Sequence, residues 1–394
     1  MNSPTRASCR ISTLVAVGIL AQGASAQLAK GQCKFLGNII TNGVPSDYNT
    51  YWNQSSPENS GKWSSIQSSV KSTTYNWNGF QTVYNWGKTT GNPVKFHVLV
   101  WGGQQPSDAG SATIDDIKRW FKAVHDKYPD LQQIDVVNEA FPGGSWGGRA
   151  HAPAPYRGAL KAAAASYGIP SGEFDWIFVA FKMARELWPD SSKTKLIYND
   201  YNTVEYDAEA KWQEALAKAA KEQKIPIDAI GYQAHDAWMV STATVKNNID
   251  RMTAIGFPIY ITEYDVGIEY SLTRACNAAD DVEQKRIVSE QMTMFWNHPN
   301  IKGVTYWGLK VGATWRPCTG LFNTNGSLRP AMQWMKDWIP ANKAICGTSG
   351  IEAKPGVSLS PANPGLIVRN VGGRLVTGVE RDGQFLELGA LGRR

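Results

Sequence analysis

The chain has 394 residues, 40 of them basic and 34 acidic, and that length suits one large α/β domain with short extensions. With residues 1–26 and 349–394 set aside, 32 basic residues face 30 acidic ones. No basic stripe remains, so nucleic acid is excluded as a partner. Sixteen Trp and fifteen Tyr are many for an ordinary hydrophobic fraction, and composition leaves open whether they stack on sugar rings or fill a core.

Residues 1–26 carry Arg6 and Arg10, the apolar run Ile11–Ala21, and Ala24-Ser25-Ala26 ahead of Gln27. This reads as a secretory signal cleaved near Ala26, too short to span a membrane. No later stretch approaches spanning length, so a secreted, soluble monomer is expected, without membrane attachment after cleavage. Cys9 would leave with the signal. Cys33, Cys276, Cys318 and Cys346 remain, an even number with no zinc-ligand spacing, and two disulfides in any of three pairings are expected.

Phe35–Ile40 reads as a first strand, and a turn-rich loop follows it. Tyr51–Trp63 then packs aromatics, amides, Glu58 and Lys62 into thirteen residues, a composition suited to a sugar-binding wall or to a solvated loop. Val94–Trp101 is a strong strand with His97 inside its apolar run. That histidine is as compatible with a satisfied core position as with a site. Asp115–Tyr128 has helical periodicity with acidic residues in its first turn. Ile134–Val137 is apolar and β-branched, and it ends in Asn138-Glu139.

From there the alternation is regular. Helix Trp176–Trp188 precedes strand Leu196–Tyr198, and helix Ala208–Lys221 precedes strand Ile227–Tyr232. Helix Val245–Ile255 precedes strand Ile259–Thr262, helix Val282–Trp296 precedes strand Gly303–Tyr306, and helix Arg329–Trp338 closes the series. Eight strands, each expected to lead into a helix, make the (β/α)8 TIM-barrel pattern for residues 27–348. This topology favours Cys276–Cys318, in the loops after strands seven and eight. It also favours Cys33–Cys346, which flank the two ends of the barrel. Residues 349–394 differ: Pro355, Pro361 and Pro364 make a linker, and short strand-like pieces follow. They fit either an appended module fragment or a disordered tail.

Polar and aromatic residues recur at the strand ends: Glu58/Asn59, Trp101/Gln104, Asn138/Glu139, Asn199/Tyr201, Gln233/His235, Glu263/Asp265 and Trp307. A parallel barrel gathers such residues around one mouth. A Glu after a strand is, alone, an ordinary loop or cap residue; Glu139 gains meaning from Glu263 across the barrel. Two carboxyls suit glycoside hydrolysis, one protonating the departing oxygen while the other attacks the anomeric carbon or activates water. No Ser-His-Asp order, phosphate-cradling glycine motif or metal cluster competes, so neither cofactor nor metal is expected.

The motifs are PEN-x-x-KW ending at Trp63, H-x-L-V-W-x-x-Q from His97, D-V-V-N-E around Glu139, N-D-Y-N from Asn199, G-x-Q-x-H from Gly231, I-T-E-x-D from Ile261, and paired Trp307 and Trp315. In this order they make residues 33–345 resemble the endo-β-1,4-xylanases of glycoside hydrolase family 10. The resemblance implies a retaining reaction on xylan and xylo-oligosaccharides, with Glu139 as general acid/base and Glu263 as nucleophile. It further implies that His235 and Asp265 orient Glu263, that Asn138 binds the 2-hydroxyl of the attacked sugar, and that Gln233 and Tyr201 line the scissile bond. Lys62, His97, Trp101, Gln104, Trp307 and Trp315 would enclose the −1 sugar, and Glu58 and Asn59 would grip the −2 xylose. His97 is thereby read as a site residue.

On this reading the charge of Glu263 raises the pKa of Glu139 until the sugar esterifies it. Gly102 stands where many members have His, Tyr264 where Leu is usual, and Ser55-Ser56 where Val-Thr is common, departures that bear on subsite affinity. The alternatives are another retaining barrel glycanase, a cellulase or mannanase, and a non-catalytic xylan-binding protein. The presence of both carboxyls disfavours the last.

Overall fold

The computed structural model describes residues 27–143, 154–269 and 274–347, together with the backbone of three strands between 366 and 390. The segment read as a secretory signal lies outside the described residues. Eight parallel strands carry the first unit: β1 (Phe35–Ile40), β2 (Gln54–Pro57), β3 (Lys95–Val100), β4 (Gln133–Asn138), β5 (Lys195–Asp200), β6 (Ala229–Tyr232), β7 (Ile259–Tyr264) and β8 (Ile301–Tyr306). Their order is β2-β1-β8-β7-β6-β5-β4-β3, and one parallel bridge between Ser55 and Val94 links the two ends. The result is a nearly closed barrel, as the strand count predicts.

Short helices α1 (Tyr48–Tyr51) and α2 (Trp63–Ile66) follow β1 and β2, and α3 (Asn78–Thr90) returns the chain to β3. The sequence over 78–90 shows no clear helical periodicity. Gly79, Gly87 and three threonines weaken its propensity, and burial of Phe80, Val83 and Trp86 against the sheet compensates. The later helices match their predicted spans within a few residues: α4 (Ile114–Lys127), α6 (Asp175–Leu187), α7 (Asp207–Glu222), α8 (Thr242–Ala254), α9 (Ala278–Asn297) and α10 (Pro330–Ala341). A further short helix, α5 (Arg157–Ala162), follows β4.

Capping boxes at Thr113 and Asn277 start α4 and α9, each satisfying amide donors the first turn leaves open. At the other end of α9, the buried Lys34 ammonium donates to the carbonyls of Phe295, Trp296 and His298 at 2.7–2.8 Å. A cation thus meets the negative end of the helix dipole.

Helices and sheet share one continuous apolar cluster, while Ile197, Ala229 and Tyr260, with Phe35 packed on them, form a separate small one. A polar chain also crosses between strands. Gln54 Nε2 donates to Gln133 Oε1 at 3.1 Å and accepts at Oε1 from Thr305 Oγ1 at 2.9 Å. Gly37 leaves the room: a β-carbon there would overlap the Gln54 amide oxygen. Cys33–Cys346 and Cys276–Cys318 are both paired, with Cα atoms 6.4 and 5.6 Å apart, as the barrel topology favours. The first closes a span of 313 residues, worth about 2–5 kcal/mol through the unfolded chain.

Residues 348–394 form a second unit. Strands β9 (Leu366–Val371), β10 (Arg374–Arg381) and β11 (Gln384–Ala390) make an antiparallel sheet in the order β11-β10-β9. The strand-like pieces of the sequence are therefore strands.

Candidate active site

Glu139 is the first residue past β4, and its φ of 55° is left-handed, a conformation that costs a non-glycine residue on the order of 1–3 kcal/mol. Its amide holds the turn by donating to Asn199 O at 3.0 Å. Trp101 Nε1 donates to Glu139 Oε2 at 2.9 Å, while Gln233 Nε2 and Asn138 Nδ2 donate to Oε1 at 3.0 and 3.2 Å. Among the described residues, these neutral groups are the donors to the carboxyl. Burial raises the Glu139 pKa foremost, with the charge of Asp200 and then of Glu263 adding to it, against the lowering bonds from Gln233 and Trp101. The charge of Glu263 thus acts in the direction expected from the sequence, joined by burial and Asp200.

Glu263, on β7, is buried where Glu139 is only partly so, and its proton affinity is shifted the opposite way. Its Oε1 accepts from Asn199 Nδ2 at 2.8 Å, and its Oε2 lies 3.3 Å from His235 Nε2. His235 Nδ1 in turn lies 3.0 Å from Asp265 Oδ1, and Trp315 Nε1 donates to Asp265 Oδ2 at 2.7 Å. Burial is the largest influence on Glu263 and opposes its ionisation, yet His97, His235 and Lys95 together outweigh it and hold its pKa far below the usual carboxylate range. Burial likewise opposes the charge on His235, but Asp265 and Glu263 push its pKa up to about 9. The imidazole lies between the carboxylates of Glu263 and Asp265, which favour its protonated form.

Beneath Glu263, Asp135 Oδ2 meets Lys95 Nζ and His97 Nδ1, each at 2.8 Å, and His97 Nδ1 stands 4.0 Å from Glu263 Oε1. Among the described residues His97, Asp135 and Glu263 are the one group close enough to share a cation. The fully buried Lys95 ammonium already supplies positive charge there, so the donor set does not call for a metal ion. Trp307 is buried between the histidines, with its ring 5.7 Å from His97 and 6.4 Å from His235.

On the other side of the mouth, Lys62 Nζ donates to Asn59 Oδ1 at 2.9 Å and to Gln104 Oε1 at 2.5 Å, and it lies 5.0 Å from the Trp101 ring. Burial lowers the Lys62 pKa first, and the fields of Glu263, Glu139 and Glu58 oppose this. Glu58 is half-buried, Asn59 and Gln104 are exposed, and Trp315 is half exposed at the rim, its indole packed on His235 at 4.6 Å. Tyr201 is half-buried beside Asp200, whose Oδ1 accepts from the Tyr201 amide at 2.9 Å. Asn138 is fully engaged: besides donating to Glu139, its Oδ1 accepts from Asn199 Nδ2 at 2.9 Å and Gln233 Nε2 at 3.1 Å.

Several participants are absent from the predicted set. Asn199 bridges Asn138 and Glu263, Lys95 and Asp135 form an ion pair under Glu263, and Arg316 donates to His235 O and Asp236 Oδ1, both at 2.8 Å. A signal existed for one pair. Lys95 and Asp135 are opposite charges inside two apolar strand runs, and buried charges require partners. The departure at Tyr264, by contrast, does not reach the mouth. Its hydroxyl donates to Gln291 Oε1 at 2.9 Å and its ring packs on Phe295 and Tyr306. The expected influence of Tyr264 on subsite affinity is therefore corrected: it contacts α9, behind the sheet.

The family model for glycosyl hydrolase family 10 matches residues 24–338. Among curated proteins, the chain is 38% identical over 312 residues to an endo-1,4-beta-xylanase B of Cellvibrio japonicus, covering 77% of this chain and 45% of the relative. It is 30% identical over 279 residues to a beta-1,4-xylanase of Dictyoglomus thermophilum, covering 67% and 73%. The chain thus spans less than half the length of the Cellvibrio protein. Among solved structures, xylanase 10B from Thermotoga petrophila in complex with xylobiose aligns with a TM-score of 0.66 at 23% identity, over 81% of this chain and 97% of that one. At that identity the likeness speaks for the fold.

Proposed function

The chain belongs to glycosyl hydrolase family 10, and from that premise we propose that it is a secreted endo-1,4-β-xylanase acting by retaining double displacement. The observation that carries the reading is the pair of carboxyls at the ends of β4 and β7 with opposite proton affinities, one raised and one lowered. Glu139 holds a proton for the leaving oxygen, and Glu263 is ionised for attack on the anomeric carbon. Esterification of Glu263 removes its charge, and Glu139, having lost its proton, takes one from the incoming water. Burial and Asp200 keep its proton affinity high throughout, and the loss of the Glu263 field contributes a smaller adjustment.

Trp101, Trp307 and Trp315 are apolar walls for the sugar ring, and Lys62 with Asn59 and Gln104 supplies donors and acceptors for its hydroxyls. Asn138, Gln233, Tyr201 and Glu58 complete the polar lining. The similarity to two curated xylanases supports xylan and xylo-oligosaccharides as substrates, and two disulfides fit an oxidising compartment.

The test is product analysis by NMR on a defined xylo-oligosaccharide, with initial rates on xylan, carboxymethylcellulose and mannan alongside. Internal cleavage with the β-anomer formed first, and xylan as the fastest substrate, is the expected result. An α-anomer as first product would overturn the mechanism, and a faster mannan or cellulose rate would overturn the substrate.

A further inference from the structure

Two glycines, Gly102 and Gly103, follow the indole that touches the acid. A β-carbon on Gly103 would stand 2.8, 2.9 and 3.0 Å from Cζ2, Cη2 and Cε2 of Trp101. These separations are below contact distance, so the ring lies directly on the bare α-carbon. Tyr156, just ahead of α5, grips the same residue through its backbone. Trp101 N donates to the Tyr156 hydroxyl at 3.0 Å, and that hydroxyl donates to Trp101 O at 3.2 Å. The clamp is rigid, because Tyr156 is 2% exposed and its ring meets Trp63 edge-on at 5.1 Å.

What this bracket delivers is the position of Nε1. Glu139 Oε1 already accepts from two donors, Gln233 and Asn138, whereas Oε2 accepts from Trp101. Each carboxyl oxygen offers two lone pairs, so among the described residues Oε2 is the oxygen left with room for the acidic proton. The indole N–H therefore fixes the oxygen that must deliver that proton to the leaving group.

We propose that Gly103 and Tyr156 are positioning residues for the general acid, acting through Trp101: one gives the indole its seat and the other holds its peptide. This deepens the proposed function and rests on its assignment of Glu139. A methyl at residue 103 would lift the indole and withdraw its N–H from Oε2. Since that N–H favours the ionised carboxyl, its loss raises the proton affinity of Glu139.

The experiment compares Gly103→Ala, Tyr156→Phe, Trp101→Phe and Gly103→Ala/Trp101→Phe with the wild type on xylohexaose and on an aryl xylobioside whose leaving group needs no proton. Gly103→Ala is expected to lower kcat on xylohexaose on the order of ten- to hundredfold, the scale of a small misplacement of a reacting group. On the aryl substrate, whose first step needs no proton, it should cost less than about threefold in kcat/KM, and on xylohexaose it should move the basic limb of kcat/KM to higher pH. Tyr156→Phe should act in the same sense with a smaller factor. In the Trp101→Phe background, where no indole N–H remains to be displaced, Gly103→Ala should add less than about twofold.

Equal losses on both substrates, an unmoved basic limb, or a full additional loss in the Trp101→Phe background would each overturn the proposal. Glu139→Ala, measured beside them, separates the two readings. If it retains wild-type activity on xylohexaose, the acid assignment fails; if it is inactive while Gly103→Ala behaves as wild type, only the bracket fails.

Discussion

The ends of β4 and β7 present the same functional group in two electrostatic settings. Glu139 is surrounded by neutral amides and an indole, so burial raises its proton affinity with no cation among the described residues bonded to it in opposition. Glu263 is the more deeply buried of the two, but His97, His235 and Lys95 converge on it and lower its proton affinity. A third carboxyl shows the reference behaviour. Glu205 is buried beside Asp236, and its pKa is pushed up to about 8 by burial first and by Asp236 second. Burial and a neighbouring carboxylate therefore raise a carboxyl, and the basic groups are what set the β7 end apart.

The comparison breaks most visibly at Glu263. Glu263→Ala should lower turnover by about 10⁴-fold or more while xylo-oligosaccharide binding, read by calorimetry, persists; turnover near wild type would sink the nucleophile assignment. Glu139→Ala should cost roughly 10²–10⁴-fold on xylan. It should be partly rescued by azide or by activated leaving groups, because the missing function is a proton rather than a bond.

His235→Asn sharpens the contrast by removing a cation from the β7 end alone. The acidic limb of kcat/KM should move to higher pH as Glu263 regains proton affinity. Stability carries the same signature. The His235 pKa of about 9 lies above the unfolded value of 6.5, so its contribution is full below pH 6.5 and lost as pH rises through about 9. The shift corresponds to about 3 kcal/mol, and urea denaturation of the variant across that window should show the slope flattened.

The smallest effect on activity belongs to Glu205→Gln, whose signature is in stability. The wild-type carboxyl stays protonated in the fold up to about pH 8 and ionises in the unfolded chain from about 4.5, so it makes stability decline across that interval. The variant should lose this part of the decline and keep its activity profile. A wild-type slope in Glu205→Gln would show that Glu205 is not held neutral.

Much of this was legible in the sequence because it depends on local pattern. Apolar runs of strand length, helical periodicity between them and polar residues at the run ends follow from side-chain alternation and from the chemistry of a barrel mouth. Ile134–Val137 leading into Asn138-Glu139, and Ile259–Thr262 leading into Glu263, stand in the structure where that pattern puts them. The cysteine pairing followed from the same topology. Helix α3 escaped because glycine and threonine obscured its period, and its burial is a tertiary effect.

What the sequence by itself determined is the barrel and the place of Glu139 and Glu263 at the ends of two of its strands. Their opposite proton affinities were decided only in three dimensions. That of Glu139 is raised by burial and by Asp200, and that of Glu263 is lowered by Lys95 and His97 from β3 and by His235 beyond β6. The seat for Trp101 was equally invisible, since it joins a bare α-carbon two residues on to a hydroxyl fifty-five residues away. The physical reason is that a pKa and a rotamer report the summed field and packing of groups that meet only when strands distant in the chain close into one barrel.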